Sequence, residues 1–527
     1  MRVLVTDPID EICPRLLEDA GFEVSIRTGG PEEWAADLDR YAGWIIRSGT
    51  KIDADLLGRS TSLKVIGRAG VGVDNVDLEE ATRRGVLVLN APDGNTISTA
   101  EHTCALILSL ARCIPYAHGS LQAGKWERKA FKGTELYEKT LGIVGLGKIG
   151  REVATRMQSF GMKVVATDPV VTTSAAERLS IELLPFHELL EVSDVLTFHV
   201  PLVKETANML NRRTLERCRE RVMIVNCARG GLFDEKAVLE GLESGKIAGV
   251  ALDVYRQEPP AGEERILLDH ARVVTTPHIA ASTNEAQKRV AKQVTEQLVS
   301  ALRGEPVATA VNSMAIKLAA QPEIRPYMDL ADRLGSLVGQ LIEGQPEVLR
   351  VRLYGDWLRQ YDEILSVAAV KGFVSRWCTE PVNLINARII AEDAALLVEE
   401  QRMPADQNFK NLLEVVAVNK ENRVSAAGVV FGKSQARIIR VNDFSFDIEA
   451  AGHILFYRND DKPGMLASVG AILADAGINI GALALGRKEK GSTALTAVNL
   501  DEPVSNHVLD QISNLRGVHG IRTVQLI

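Results

Sequence analysis

The chain is poor in aromatic residues, which make up 5% of it, and it has no long apolar run. No unbroken apolar stretch approaches the ~20 residues that span a bilayer, so no membrane partner is expected. Basic surplus is also missing. Against 69 Asp and Glu stand 61 Lys and Arg, a net charge of -8, which excludes a nucleic-acid footprint spread over the whole surface and makes any anion site local. Cysteine is sparse and unpatterned: Cys13, Cys104, Cys113, Cys218, Cys227 and Cys378 form no C-x-x-C pair and have no histidines at matching spacing. Neither a disulfide framework nor a metal site is indicated. The chain opens on strand-like MRVLVTD without a basic-then-apolar leader, and a soluble cytoplasmic protein is the expectation.

Glycine, by contrast, is well placed. In KTLGIVGLGKIGREVATRMQSFGMKVVATDP, the apolar run Leu141 to Val144 reads as a buried strand, and Gly145, Gly147 and Gly150 form a G-x-G-x-x-G turn. Val153, Ala154 and Met157 then follow at helical spacing. In such a unit the first glycine permits the tight turn, the second lets the backbone approach a pyrophosphate, and the third lets helix pack on strand. The helix N-terminus then faces the anion. A second strand, Lys163 to Thr167, ends at Asp168. An acid there accepts hydrogen bonds from the adenosine ribose and repels the extra phosphate of NADP, so NAD is the expected cofactor. A glycine turn alone is often mere packing. It is the flanking strand, helix and terminal acid that favour a nucleotide.

With 527 residues the chain has room for about three or four domains of ~100–200 residues. Residues 1 to about 95 alternate short strands (Val3–Thr6, Glu23–Ile26, Gly43–Ile46, Val65–Gly67, Val86–Leu89) with helices, a complete βα unit ahead of the glycine turn. Ser98 to Gln122 reads as one long helix bridging two domains. Strands at Val195–His199, Met223–Asn226, Gly249–Asp253 and Val273–Thr275 continue the second unit, for which a doubly wound parallel sheet is the natural solution. A second long helix, Asn284 to Arg303, returns the chain to the first domain. After Gly304-Glu305-Pro306 the character changes to mixed helix and strand up to about residue 452. Ile454 to Ile527 then reads β-α-β-β-α-β, a ferredoxin-like order.

Arg229 in NCARGG, Glu258 in YRQEPP and His278 in TPHIAAS all fall beyond the carboxyl ends of strands, where open α/β sheets bind ligands. Oxidising a hydroxyl carbon by hydride transfer needs a base for the hydroxyl proton and a cation to hold a carboxylate and polarise the forming carbonyl. His278 and Arg229 are of those types, and Glu258 would fix the tautomer of the imidazole and favour its charged form. Singly, a loop histidine, an Arg-Gly-Gly turn and a Glu-Pro-Pro helix stop are ordinary structure. Their joint placement carries the argument.

The set GLGKIG, NCARGG, ALDVYRQEPP and PHIAAST resembles the D-isomer-specific 2-hydroxyacid dehydrogenases. RAGVGVDNVDL with RKAFKGTEL resembles the branch that oxidises D-3-phosphoglycerate to 3-phosphohydroxypyruvate, the first step of phosphorylated L-serine synthesis. The resemblance implies that His278 donates and accepts the proton, Glu258 is its partner and Arg229 orients the substrate. It implies that Lys148, Ile149, Asp168, Val200, Cys227, Ala228, Ala280, Ala281 and Val71 line NAD beside the glycines, with Asp253 facing the nicotinamide amide. A phosphorylated three-carbon acid is strongly anionic, so the first domain must offer cations despite the acidic total. Arg47 with Ser48, Arg68 with Gly70, Asn75, Arg128 and Lys129 (with Lys132 close by) are the substrate-binding candidates. For Arg128 to Lys132 a solvated surface run is an equal alternative, and in the family this segment can reach a neighbouring subunit's site.

The last unit resembles an ACT module, an amino-acid-sensing domain, through RNDDKPGMLASVGAILADAGINIGAL. The resemblance makes Asn459, Asp461 and Asn479 candidate effector contacts, with serine as the expected ligand and a homo-oligomer, dimer or tetramer, as the expected assembly. VNLINARIIAED and VVFGKSQARIIRVNDFSFD resemble the extra regulatory domain of the long forms of that branch, where Lys433 and Arg437 are either an anion site or, the better account, solvated charges on a hairpin. The expected division is a flavodoxin-like substrate domain over 1–97 and 284–310, a Rossmann-type NAD domain over 98–283, an α+β intervening domain over 311–452 and a ferredoxin-like ACT domain over 453–527. A chain cut after about Ala451 is expected to keep catalysis and lose control by serine. Other readings are a reductase of another 2-hydroxy or 2-keto acid, such as glycerate, and an NAD-sensing scaffold of the corepressor kind; the regulatory tail and the arginine set weigh against the first, and the ordered ACT-like end against the second.

Overall fold

The computed structural model describes residues 1–305, 307–313, 316, 318, 321–378 and 381–526, so Pro306 of the expected break lies outside it. Strands β1 (Arg2–Val5), β2 (Glu23–Ile26), β3 (Gly43–Ile46), β4 (Val65–Arg68) and β5 (Leu87–Leu89) form a parallel sheet in the order β2-β1-β3-β4-β5, which is flavodoxin-like. Its central strand β3 is buried along its whole length, as a parallel strand covered on both faces must be. One cover is helix Asn284–Leu302, whose Val290, Ala291, Val294 and Leu298 join Val3, Val5, Ile45 and Val65 in one cluster. A Cβ at Gly67 would come within 2.9 Å of Val294, so glycine there lets the returning helix lie close.

The second sheet holds β6 (Thr140–Val144), β7 (Lys163–Thr167), β8 (Glu182–Leu183), β9 (Val195–Phe198), β10 (Val222–Asn226), β11 (Ile247–Leu252) and β12 (Val273–Thr275). All pairs are parallel and the order is β12-β11-β10-β9-β6-β7-β8. Strand order reverses at β6/β9, the switch point where such sheets bind nucleotides. The helix expected over Ser98 to Gln122 is two helices, Thr96–Ala111 and Ile114–Gln122, bent by 63°. Pro115 causes the break: its ring would clash with the Ala111 carbonyl, it has no N–H to donate, and it disfavours helical backbone at Ile114. Cys113 turns the corner at φ 53°. Among the described residues no single helix is long and apolar enough to cross a membrane.

Strands β13 (Val348–Tyr354), β14 (Leu397–Met403), β15 (Leu412–Val418), β16 (Arg423–Phe431), β17 (Gln435–Val441) and β18 (Phe444–Glu449) make a mixed sheet in the order β14-β13-β15-β16-β17-β18, in which only β13 and β14 are parallel. Helices Arg325–Leu341 and Asp362–Val374 pack on it and on each other. They approach so closely that a Cβ at Gly335 would run into the Ala369 carbonyl, and one at Gly372 into that of Asp332.

The last sheet, β19 (Gly452–Asp460), β20 (Ile480–Arg487), β21 (Thr493–Leu500) and β22 (Val518–Leu526), has the order β20-β21-β19-β22 with helices Met465–Asp475 and Asn506–Ser513, the ferredoxin-like arrangement. Alternation along β19 divides its side chains. Leu455 and Tyr457 pack with Val469 and Ile512 of those helices, whereas Ile454 and Phe456 share a cluster with Leu334 and Val338 of the preceding unit. Arg333 also donates to the Ala450 carbonyl at 3.0 Å, and Gln340 bonds the Gln525 backbone both ways. A cut after Ala451 therefore opens a shared core. It is not the clean removal of a sensor that the sequence suggests.

Candidate active site

The nucleotide turn is built from backbone. Gly145 has φ +95°, and a Cβ on it would lie 2.6 Å from the His199 carbonyl oxygen at the end of the neighbouring strand. Gly150 is buried against the Gly145 carbonyl, closing helix onto strand. At Gly147 nothing lies within 4 Å of where a Cβ would stand. That open cradle sits at the start of helix Lys148–Ser159, where the amides of Lys148, Ile149 and Gly150 have no intrahelical acceptor. A pyrophosphate fits there. Asp168 follows β7; Leu146 N–H donates to its Oδ2 at 2.8 Å, and the N–H groups of Val170 and Val171 donate to Oδ1 at 2.8 and 3.0 Å. Burial opposes the charge, but these three amides hold the carboxyl below its usual range. It stays ionised beside the turn, as hydrogen bonding to a ribose requires. Val200 packs at Gly145, and Cys227 and Ala228 follow β10. Cys227 is buried, which pushes its thiol up to about 12 and leaves it inert. Lys148 reaches across to an ion pair with Asp93.

Between the carboxyl ends of the two sheets lies a cleft of about 670 Å³ lined by Arg47, Ser48, Arg68, Gly70 and Val71 on one side and Arg229, Glu258, His278 and Ala281 on the other. His278 Nδ1 lies 2.7 Å from Glu258 Oε2, and the other carboxylate oxygen accepts the Tyr255 N–H at 3.2 Å. A carboxylate only accepts, so Nδ1 carries the proton and Nε2 is left as the base. His278 itself has φ 53°, an uncommon conformation for a side-chain-bearing residue. Its loop is fastened by Asp253, fully buried, whose carboxylate accepts from the Thr276 hydroxyl at 2.5 Å and the Ile279 and Ala280 amides at 2.9 Å each. Burial works against this charge too. Hydrogen bonds from His102, Thr276 and the two amides outweigh it and keep the carboxyl below its ordinary value.

The anion-binding groups converge. Arg229 pairs with Asp74 at 3.3 Å and donates to the Ala228 carbonyl at 2.7 Å. Arg68 is half-buried, its buried Nε has no partner, and desolvation followed by the charge of Arg229 pushes its pKa down to about 10. Two guanidiniums brought this close favour an incoming carboxylate or phosphate. Asn75 does not line the cleft. Its amide donates to the Arg47 and Thr50 carbonyls at 2.7 and 2.6 Å, shaping the loop from which Arg47 projects. Arg128, Lys129 and Lys132 are exposed on the segment after helix Ile114–Gln122 and lie outside this cleft. Among residues not singled out from sequence, Asn95 lines the cleft with a buried, unpartnered Oδ1, and Tyr255 donates its hydroxyl to the Thr276 carbonyl at 2.7 Å. Asn95 stands where an N-cap belongs but makes no capping bond, so its pattern reads as ordinary helix chemistry.

In the last unit Asn459 is 2% exposed, accepts from the Thr496 hydroxyl and donates to the Asp460 carbonyl. With both ends of its amide used internally it is a frame residue, and it does not offer an effector contact. Asp461 accepts from the Gly491 amide at 2.8 Å and Arg487 at 3.0 Å, which hold its carboxyl below the usual range, and Asn479 donates to Asp501 at 2.7 Å. Arg437 is paired with Asp447 on the sheet, while Lys433 is exposed at the turn before β17.

Comparison with known proteins matches residues 104–280 to the D-isomer specific 2-hydroxyacid dehydrogenase, NAD binding domain, 323–442 to the D-3-phosphoglycerate dehydrogenase intervening domain and 453–517 to the ACT domain. D-3-phosphoglycerate dehydrogenase of Bacillus subtilis is 38% identical over 527 residues, covering 100% of this chain and 99% of that one. The human protein of the same name is 40% identical over 489 residues, 91% of each. Among solved structures, D-lactate dehydrogenase of Aquifex aeolicus complexed with NAD and lactic acid aligns at a TM-score of 0.52 and 27% identity, covering 58% of this chain and 96% of that one. That structure corresponds to the dehydrogenase part alone, whereas the bacterial relative runs the full length, and on that end-to-end similarity the chain belongs to the D-3-phosphoglycerate dehydrogenase family.

Proposed function

We propose that the cleft oxidises the 2-hydroxyl of D-3-phosphoglycerate to 3-phosphohydroxypyruvate with NAD, the first step of phosphorylated L-serine synthesis. The observation that carries this reading is the His278–Glu258 pair, with Arg229 beside it, facing Arg68 and Arg47 across one cleft. NAD, when bound on the glycine turn, supplies the hydride acceptor. His278 Nε2 takes the hydroxyl proton, and the Glu258 carboxylate on Nδ1 stabilises the imidazolium that results. Arg229 holds the carboxylate and polarises the developing carbonyl, and Arg47 and Arg68 neutralise the phosphate. In this reading residues 1–97 with 284–310 hold the substrate, 98–283 hold NAD, and 311–452 and 453–527 regulate. Such an enzyme works where NAD and phosphoglycerate are supplied, in the cytoplasm.

The ACT domain takes a small-molecule effector, and we assign serine to it. Asp461 meets its ammonium in competition with Arg487, and Asn479 meets its carboxylate. A homo-oligomer belongs to the same reading. Helix Ile114–Gln122 has no buried residue in the single chain, and Trp126 just beyond it is 79% exposed, a surface suited to a second copy.

His278→Ala is expected to lower kcat for 3-phosphoglycerate by roughly 10²–10⁴-fold with NAD affinity intact, measured as NADH formation beside glycerate and lactate as controls. Near wild-type turnover in the variant, or a wild type that prefers glycerate, overturns the assignment. Asp168→Ala should narrow the preference for NAD over NADP, and a wild type that uses NADP better would refute the ribose role. Serine inhibition should vanish in full-length Asp461→Ala, a loss of coupling worth ~1–3 kcal/mol. In titration calorimetry, equal serine heats from both proteins, or none from either, would remove the effector assignment. Sedimentation should show an assembly that Trp126→Glu weakens, and a monomeric wild type would end that part of the reading.

A further inference from the structure

One imidazole beside the cleft has no part in the mechanism above. His102 stands on helix Thr96–Ala111, with Nε2 3.1 Å from Thr276 Oγ1 and 3.3 Å from Asp253 Oδ1. The direction of these bonds follows by elimination. The Thr276 hydroxyl already donates its proton to Asp253 Oδ1, and a carboxylate only accepts. Nε2 therefore carries a proton and donates it to this pair.

The donors on Asp253 then fall into two groups. Thr276, Ile279 and Ala280 belong to the loop that bears His278. His102 comes from the helix that carries the chain from the first sheet to the second. The same helix makes a second tie to this region one turn earlier, where Ser98 Oγ lies 2.7 Å from Thr283 Oγ1. Because His278 sits at φ 53°, its position depends on bonds at its neighbours. Asp253, fully buried, has no water to replace a lost donor.

We propose that His102 is a positioning residue for the dehydrogenation: from the crossing helix it holds Asp253 and Thr276, and through them sets the loop from which His278 reaches the substrate. The inference rests on the reading of His278 as the proton acceptor. It places the effect in turnover and not in substrate affinity, because Arg47, Arg68 and Arg229, which hold the substrate in that reading, are carried by other segments.

The test compares His102→Phe, which keeps a ring and loses the donor, with His102→Gln, whose amide keeps an N–H. In the full-length enzyme, Phe should cut kcat by about ten- to a hundredfold while KM for 3-phosphoglycerate stays within about twofold. Gln should recover most of the loss. Turnover within about twofold of wild type in His102→Phe, or Phe and Gln losing kcat, KM and NAD affinity together with melting temperature, overturns the proposal. Thr276→Val interrupts the same path from the loop side and stands in if the Phe variant does not fold. In the double variant the kcat loss should not exceed that of the worse single one, and additive losses would show two unconnected effects and refute the shared path. A wild type inactive on 3-phosphoglycerate that still binds NAD would instead strike the functional reading, an outcome distinct from any of these.

Discussion

The cleft depends on the chain crossing twice between two parallel sheets. A parallel sheet needs helices on both faces, and its strand ends collect loops at one edge. Helix Thr96–Ala111 leaves the first unit, and helix Asn284–Leu302 returns to lie against Gly43 and Gly67 of its sheet. With both crossings made, the loops after β1, β3 and β4 confront those after β10, β11 and β12. Arg47, Arg68, Arg229, Glu258 and His278, spread over more than two hundred residues of sequence, come to line one cleft.

The local charge balance follows from that closure. A chain with a net charge of -8 gathers arginines along one cleft, and desolvation there works against their charge. Arg68 has a buried, unpartnered Nε and a depressed pKa, and Arg229 leans on Asp74, a carboxylate 82% exposed. An exposed ion pair is worth only ~0–1 kcal/mol. A bidentate, desolvated contact is stronger than that, so the Asp74 pair leaves Arg229 able to exchange it for a better anionic partner.

Much of this was legible in sequence because it is local. Strand runs, the glycine turn, Asp168 one strand later, and the placement of Arg229, Glu258 and His278 after strands all follow from periodicity and from where α/β sheets put their loops. What was missed is set by packing. The bend before Pro115 was readable from the proline itself and was outweighed by the apolar run ahead of it. Asn75 has the look of a binding residue, yet its amide is consumed by two carbonyls that no pattern names. Asn459 falls inside a sensor-like motif, and its register on β19 turns it inward to Thr496. His102 and Asn95 lie on and just before a helix whose spacing explains them as core and cap, and His102's partners, Asp253 and Thr276, more than 150 residues away, had no signal along the chain.

The regulatory end has to act on this cleft through the junction between the first and third sheets. There Arg83 pairs with Asp393 at 2.9 Å, the Asn383 amide donates to the Gly85 carbonyl at 2.9 Å, and Ile385 packs against the core of the first sheet. Each such contact is worth on the order of 1 kcal/mol. The ferredoxin-like unit, by contrast, shares a continuous core with helix Arg325–Leu341. A coupling free energy of ~1–3 kcal/mol is too small to separate units that share a core, but it is of the same order as the contacts at the junction. The third and fourth sheets thus share one core, and the contacts around Gly85 are what join them to the first sheet.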